Sequence, residues 1–404
     1  MNTITILEEV MKIKKFMTGV LALSLTAVLA SCGGDTNKAE EKPEQTTEEA
    51  TTEETAAEET EEETETEDAD TEEKENDKGE ASETPTGETV SVTMVTDFGG
   101  INDKSFNQSA YEGLQGAESD GTATFDYIES HKDSDYKPNL ESALDSESDI
   151  ILTVGYALYE PTVEAAKTNE DQNYVIIDSD NQENLPNLVG VGFADHQNSF
   201  LVGYIAGMMS ETNNVGFIGG MEGVVISRFD YGFRAGVEHA AREKGEDIEV
   251  QVQYANSYSD QAAGKNIADR MYQNGADVVF HAAGGVGIGV IEAAKENDKW
   301  VIGVDRDQQE EAPDNMLVST IKGVGDAVKL IIDDYQIGEF KGGETVRFTL
   351  ADGDAVSIKY ADNGLVTDEI KEKVEQIKQD IIDGKIEVPQ NEEEAIEMGY
   401  IEAE

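Results

Sequence analysis

From residue 90 onward, short apolar runs alternate with segments of helical spacing. Residues 90–96 (VSVTMVT), 124–128, 150–154, 174–177 and 188–193 form a first series of β-rich runs. Residues 105–117 and 159–167, lying between them, read as helices. A helix from Asp195 to about Met209 follows, and then the alternation restarts. The second series is strand 215–218, helix 228–244, strand 248–254, helix 260–274, strand 278–280, helix 286–296 and strand 301–304. Runs that stay apolar at every position suit strands covered on both faces, and intervening helices give parallel, doubly wound sheets. Two such series predict two α/β lobes of similar build. In that architecture a ligand crevice lies at the carboxyl ends of the strands. Near the C-terminus, residues 368–382 put Ile370, Val374, Ile377 and Ile381 on one helical face. The acidic tail 391–404 is expected to fray.

The N-terminus follows a different pattern. Lys12, Lys14 and Lys15 precede an apolar stretch, residues 16–30, which ends in Leu29-Ala30-Ser31-Cys32. A basic start, an apolar middle and small residues before a cleavage point make a secretory signal. Its length of 15 residues falls short of the roughly 20 that span a bilayer. The ending resembles a bacterial lipobox, which implies cleavage before Cys32 and acylation of its thiol. Cys32 is the only cysteine in the chain, and acylation would remove a free thiol from an exported protein. An ordinary signal peptide with an incidental cysteine, or a buried anchor, are the plainer readings. Glu8 and Glu9 suit a signal start poorly, and initiation at Met11 would omit them.

Charge changes the picture after the cysteine. Residues 35–88 hold 24 Asp and Glu against 4 Lys, and no Phe, Trp, Tyr, Ile, Leu, Val or Met. Such a stretch cannot bury apolar surface against its chain entropy, so residues 33–88 are expected to be a disordered, self-repelling tether. The chain carries −58, residues 35–88 carry −20 and residues 1–34 carry +1, which leaves −39 on residues 89–404. That balance excludes nucleic acid as a partner, because phosphate binding needs clustered Lys and Arg. It also disfavours direct adhesion to anionic lipid, and it suits a surface working at high salt.

Candidate chemistry gathers at strand ends. Asp97 ends the first strand and leads through Gly99 and Gly100 into a helix, with Asn102 or Asp103 as its cap. Asp178 ends residues 174–177, and Asp305 ends residues 300–304. One such carboxylate is ordinarily a helix cap; three at matching points of two lobes indicate a shared crevice. Residues 282–289 look like a phosphate loop but lack Gly-Lys-Ser/Thr. Residues 178–182 lack the glycine and glutamate of a calcium loop. His131, His196, His239 and His281 show no metal spacing, so no metal and no cofactor are expected.

Five segments in order resemble the basic membrane lipoprotein family: 97–113 (DFGGINDKSFNQSAYEG), 200–207 (FLVGYIAG), 215–221 (VGFIGGM), 280–289 (FHAAGGVGIG) and 301–308 (VIGVDRDQ). The resemblance covers roughly residues 89–390, although a chain this acidic fits the family's name badly. It implies the type I periplasmic-binding-protein fold: two Rossmann-like lobes joined by three crossovers, near Asp195, residues 322–325 and residues 350–354. One lobe would then hold residues 89–194 and about 324–350, the other residues 195–323 and about 351–390. The family implies a lipid-anchored receptor outside the cytoplasm that binds a nucleoside, a purine one in its best-known group, and passes it to an ABC permease; a monomer is expected.

Carried over residue by residue, the resemblance makes Phe106 a stacking face for a base. Tyr258 is the candidate for the opposite face, with Phe229 as the alternative. Stacking contributes about 1–3 kcal/mol per base and tolerates base identity, so hydrogen bonds must discriminate. Asp97 and Asn107 would read base edges, and Asp178 and Asp305 would accept bonds from sugar hydroxyls. Lys322 would balance the acidic group near the hinge, and Gly284 would let the backbone approach the ligand. The plainer roles are core packing for Phe106 and Phe229, loop cover for Tyr258 and a surface charge for Lys322. Competing functions are a sugar receptor on the same fold, an enzyme acting on nucleosides, and a surface adhesin or sensor. No phosphate or metal site supports the enzyme, and a binding protein without chemistry is the expectation.

Overall fold

The computed structural model describes residues 87–403. The signal segment, Cys32 and the acidic stretch lie outside the described residues. The first lobe begins with β1 (Val90–Thr96), α1 (Phe106–Ser119), β2 (Ala123–Ile128), α2 (Tyr136–Leu144), β3 (Ile150–Val154), α3 (Tyr159–Thr168), β4 (Asn173–Ile177) and β5 (Leu188–Phe193). The chain then enters the second lobe through α4 (Asp195–Met209). There follow β6 (Asn214–Gly219), α5 (Val224–Lys244), β7 (Glu249–Tyr254), α6 (Gln261–Gln273), β8 (Val278–Ala282), α7 (Val286–Asn297), β9 (Trp300–Gly303) and β10 (Met316–Lys322). Helix α8 (Val324–Gln336) and β11 (Thr345–Phe348) return to the first lobe. Strand β12 (Val356–Tyr360), α9 (Asp368–Ile382) and α10 (Glu392–Glu397) finish on the second.

The first sheet has the order β2-β1-β3-β4-β5-β11, and every pair is parallel. The second has the order β7-β6-β8-β9-β10-β12, with β12 alone antiparallel to its neighbour. The first five strands of each sheet therefore share one topology, and the expected doubly wound α/β fold is present in both lobes.

Burial explains the sequence pattern. All residues of β3 and of β8 are buried, as befits strands with helices on both faces. The edge strands β2 and β7 are largely exposed and carry more polar side chains. Helix α4 is apolar almost all round because Asn198 to Gly207 lies wholly inside. It touches α5 backbone to backbone: a Cβ on Gly203 would strike the Phe233 carbonyl, and one on Gly236 the Phe200 carbonyl. The first lobe has a similar approach, where a Cβ on Gly113 of α1 would stand 2.5 Å from Gly325 Cα of α8.

Two expectations change. Helix α5 starts at Val224, a turn before residue 228. The tail does not fray: Asn391 caps α10 by accepting from the Glu394 amide, and Ala395 is fully buried. Tyr400 then packs edge-on to Phe200 at 6.0 Å, with the Arg242 guanidinium 5.2 Å above its ring. Acidic composition suggested solvation, but a few apolar residues suffice to dock the segment on α5. Among the described residues no helix is long and apolar enough to cross a membrane.

Candidate ligand-binding cleft

The carboxyl ends of both sheets face one cavity between the lobes. Asp97, Phe106, Asn107 and Asp178 line it from the first lobe. Phe229, Tyr258, Gly284, Asp305 and Lys322 line it from the second. All nine residues singled out in the sequence thus meet in one place.

Two of the carboxylates occupy equivalent, strained positions. Asp178 follows β4 and Asp305 follows β9, the fourth strand of each sheet in chain order. Both have φ of 67°, the left-handed region that a non-glycine residue adopts at a cost of about 1–3 kcal/mol. Strain repeated at the same point of two lobes marks a position held for its side chain. Burial pushes the Asp305 carboxyl up to about 6 despite Lys322 and a hydrogen bond donated by Ser105 Oγ.

Lys322 ends β10, where the chain leaves the second lobe, and is buried rather than a surface charge. Its Nζ stands 2.7 Å from the Asp178 carboxylate and 3.3 Å from that of Asp195. Burial opposes its charge, but Asp178, Asp195 and Asp305 outweigh it and raise its pKa. The same ammonium lies 5.1 Å from the Phe106 ring centroid and 5.5 Å from that of Phe229, which adds cation–π attraction. Phe106 opens α1 and Phe229 lies in the first turns of α5, so the helix that follows the first strand of each lobe presents one ring.

A second network holds the start of α1. Asp103 takes the capping role: Oδ1 accepts from the amides of Ser105 and Gln108, at 2.9 and 3.1 Å, and Oδ2 from that of Asn107, at 2.9 Å. Asn107 Nδ2 donates to Asp97 Oδ1 at 2.9 Å and to Asp103 Oδ2 at 3.1 Å. Burial raises the Asp97 carboxyl to about 6, against hydrogen bonds from Gly99 and Asn107.

The lobes meet around the cavity. Tyr156 and Tyr258 hydroxyls are 3.2 Å apart, and Tyr258 lies 6.2 Å from Phe98, centroid to centroid. On another side Gln308 Nε2 donates to the Lys104 carbonyl at 3.0 Å, and Ser105 donates to Asp305. Gly284 takes φ of 55° beside the Tyr258 carbonyl, where a side chain would be strained.

Sequence reasoning gave Asp103 only a capping role and passed over other lining residues, notably Gly155, Tyr156, Val225 and Ile226. Gly155 and Tyr156 follow β3, so the strand-end rule that selected Asp97 would have found them. Gly155 also leaves room for that residue, since a Cβ there would come within 2.7 Å of Asp97 Oδ2. Among the described residues, no group of three His, Cys, Asp or Glu is placed to hold a metal ion.

A family model described as "ABC transporter substrate-binding protein PnrA-like" matches residues 90–392. The chain belongs to this family. A Lactococcus lactis relative named "ABC transporter nucleoside-binding protein BmpA" is 44% identical over 324 residues, covering 74% of this chain and 89% of its own. The "CD4+ T-cell-stimulating antigen" of Listeria monocytogenes is 42% identical over 322 residues, covering 74% and 88%. Among solved structures, an Aeropyrum pernix ABC transporter solute-binding protein superposes with a TM-score of 0.71 at 25% identity, covering 77% of this chain and 98% of its own. Members of this family are substrate-binding components of ABC transporters, not enzymes. Membership places the work of this protein outside the cytoplasm, with a small molecule and a permease as partners.

Proposed function

We propose that the protein captures a purine nucleoside in the interlobe cavity and delivers it to its permease. The observation that carries this is the pairing of one aromatic ring and one left-handed aspartate from each lobe around a single cavity. Rings accept the faces of a flat base, and carboxylates accept the hydroxyls of a ribose. Phe229 is the ring opposite Phe106 in this reading, because both rings flank the Lys322 ammonium whereas the Tyr258 hydroxyl is engaged by Tyr156. The printed name of the Lactococcus relative agrees with a nucleoside. The test is a thermal-shift screen of the full chain in mild detergent and high salt, against nucleosides, free bases and sugars. A ligand that binds the native state raises the melting temperature by mass action. A shift with purine nucleosides that Asp97→Ala abolishes supports the reading, and shifts with sugars alone refute it.

Acylation of Cys32 would fix the receptor, acting as a monomer, to the outer face of the membrane, with residues 33–88 as the spacer. Labelled palmitate incorporated into the wild type, and absent from Cys32→Ser released to the medium, is the expected result. Equal release of both proteins refutes the anchor.

A further inference from the structure

Asn107 is a cleft side chain whose amide orientation the surrounding carboxylates dictate. Its nitrogen sits between Asp97 Oδ1 and Asp103 Oδ2, two atoms that only accept. Turning the amide over would set oxygen against both carboxylates. Asp103 cannot yield, since three backbone amides of the α1 start hold it. Asn107 Oδ1 is therefore turned away from both carboxylates, buried and without a partner, on a residue that lines the cavity. A buried acceptor without a donor is costly, and it marks the place where a ligand donor belongs.

The neighbouring carboxylate has the same polarity. Asp97 Oδ1 is occupied by Gly99 N and Asn107 Nδ2, and among the described residues Oδ2 receives no hydrogen bond. This wall thus offers two acceptors and no free donor. Phe106 faces the same cavity, so a base stacked on it turns an edge toward Asn107.

We propose that this wall selects purine nucleosides protonated at N1, guanosine first and inosine next, over adenosine, and that Asp103 is the positioning residue that enforces the choice. The proposal rests on the nucleoside reading above. Guanine presents N1–H and the 2-amino group side by side, two donors for two acceptors. Hypoxanthine presents N1–H alone. Adenine puts the N1 lone pair beside its amino group, so one acceptor of the wall faces another.

Titration calorimetry on the full chain in mild detergent at pH 7.5 tests this with guanosine, inosine, adenosine and 1-methylguanosine. Guanosine should bind at least about tenfold tighter than adenosine, with inosine between them, and methylation at N1 should cost guanosine a similar factor. In Asp103→Ala the amide keeps Asp97 but loses the second of its two acceptors, so its orientation is enforced less firmly. The guanosine-to-adenosine ratio should then fall, over and above any loss that the weakened α1 start imposes on both ligands. A merely structural role for Asp103 would weaken both ligands alike and leave the ratio unchanged, which would overturn the positioning role. Equal binding of guanosine and adenosine, or of 1-methylguanosine and guanosine, overturns the selectivity while leaving the nucleoside reading intact. Binding of no nucleoside overturns both.

Discussion

Tyr258→Phe removes one oxygen atom and should shorten the life of the ligand-bound state. That oxygen is 3.2 Å from the Tyr156 hydroxyl of the opposite lobe. The ring itself would stay, packed on Phe98 and on the backbone at Gly220. A neutral hydrogen bond of this kind contributes about 0.5–1.5 kcal/mol net. The two hydroxyls are part-buried, and the middle of that range, about 1 kcal/mol, is taken for the pair. It corresponds to about a fivefold change in an equilibrium constant. The bond exists only with the lobes together, so the change should fall on the dissociation rate and leave association untouched. Stopped-flow displacement of a bound nucleoside gives the dissociation rate, and mixing at increasing ligand gives association. An unchanged dissociation rate would refute the idea that these tyrosines hold the lobes together. A slowed association with normal release would refute it equally, since it would make Tyr258 part of ligand entry.

Three further predictions rest on other parts of the molecule. Lys322→Met leaves the Asp178 and Asp195 carboxylates buried without their cation and should destabilise the fold by about 3–5 kcal/mol in urea unfolding, with partial recovery in Lys322→Met plus Asp195→Asn. Burial raises Asp195 to about 7, so its contribution to stability is full below its unfolded pKa near 4 and disappears as pH rises through 7. Asp195→Asn should therefore gain on the wild type by roughly 1–3 kcal/mol between pH 5 and pH 8. This difference measurement cancels the opposite trend of His196 and His281, which burial lowers to about 3 and 4. Gly113→Ala pushes a methyl into the backbone of α8 and should cost about 1–3 kcal/mol, read as a lower melting temperature without change in ligand selectivity.

The sequence showed most where burial is two-sided. Strands β1, β3 and β5 and helix α4 have the bounds their apolar patterns give, because covered positions are mostly apolar, and α9 has its bounds because its buried Val374, Ile377 and Ile381 recur at helical spacing. Strand β11 was not legible: it has four residues, all at least partly exposed, and a sheet edge asks little of its side chains. Helix α2 carries Pro138 inside its first turn and buries only Tyr136, Leu140 and Ala143. In the cleft, the three aspartates were visible because strand ends are fixed by topology. Asp103 looked like one of two possible caps, and its second role needs Asn107 to swing between it and Asp97. That contact belongs to the folded loop and leaves no mark in residue spacing. The tail misled because charge outnumbers apolar residues there, whereas docking depends on a few well-placed contacts around Ala395 and Tyr400.

The order in which the chain visits its two sheets has a consequence for biogenesis. The first sheet receives its last strand, β11, only after the whole parallel part of the second sheet has been laid down, and the second waits for β12. No contiguous half of the sequence therefore contains a finished lobe. A chain emerging from an export channel exposes the β5 edge until Phe348 arrives and the β10 edge until Tyr360 arrives. Both edges are apolar and ready to pair with another chain during that interval. Truncation before residue 360 should give aggregates rather than a working single lobe, and quality control at the membrane would meet this protein as one late, all-or-none folding event.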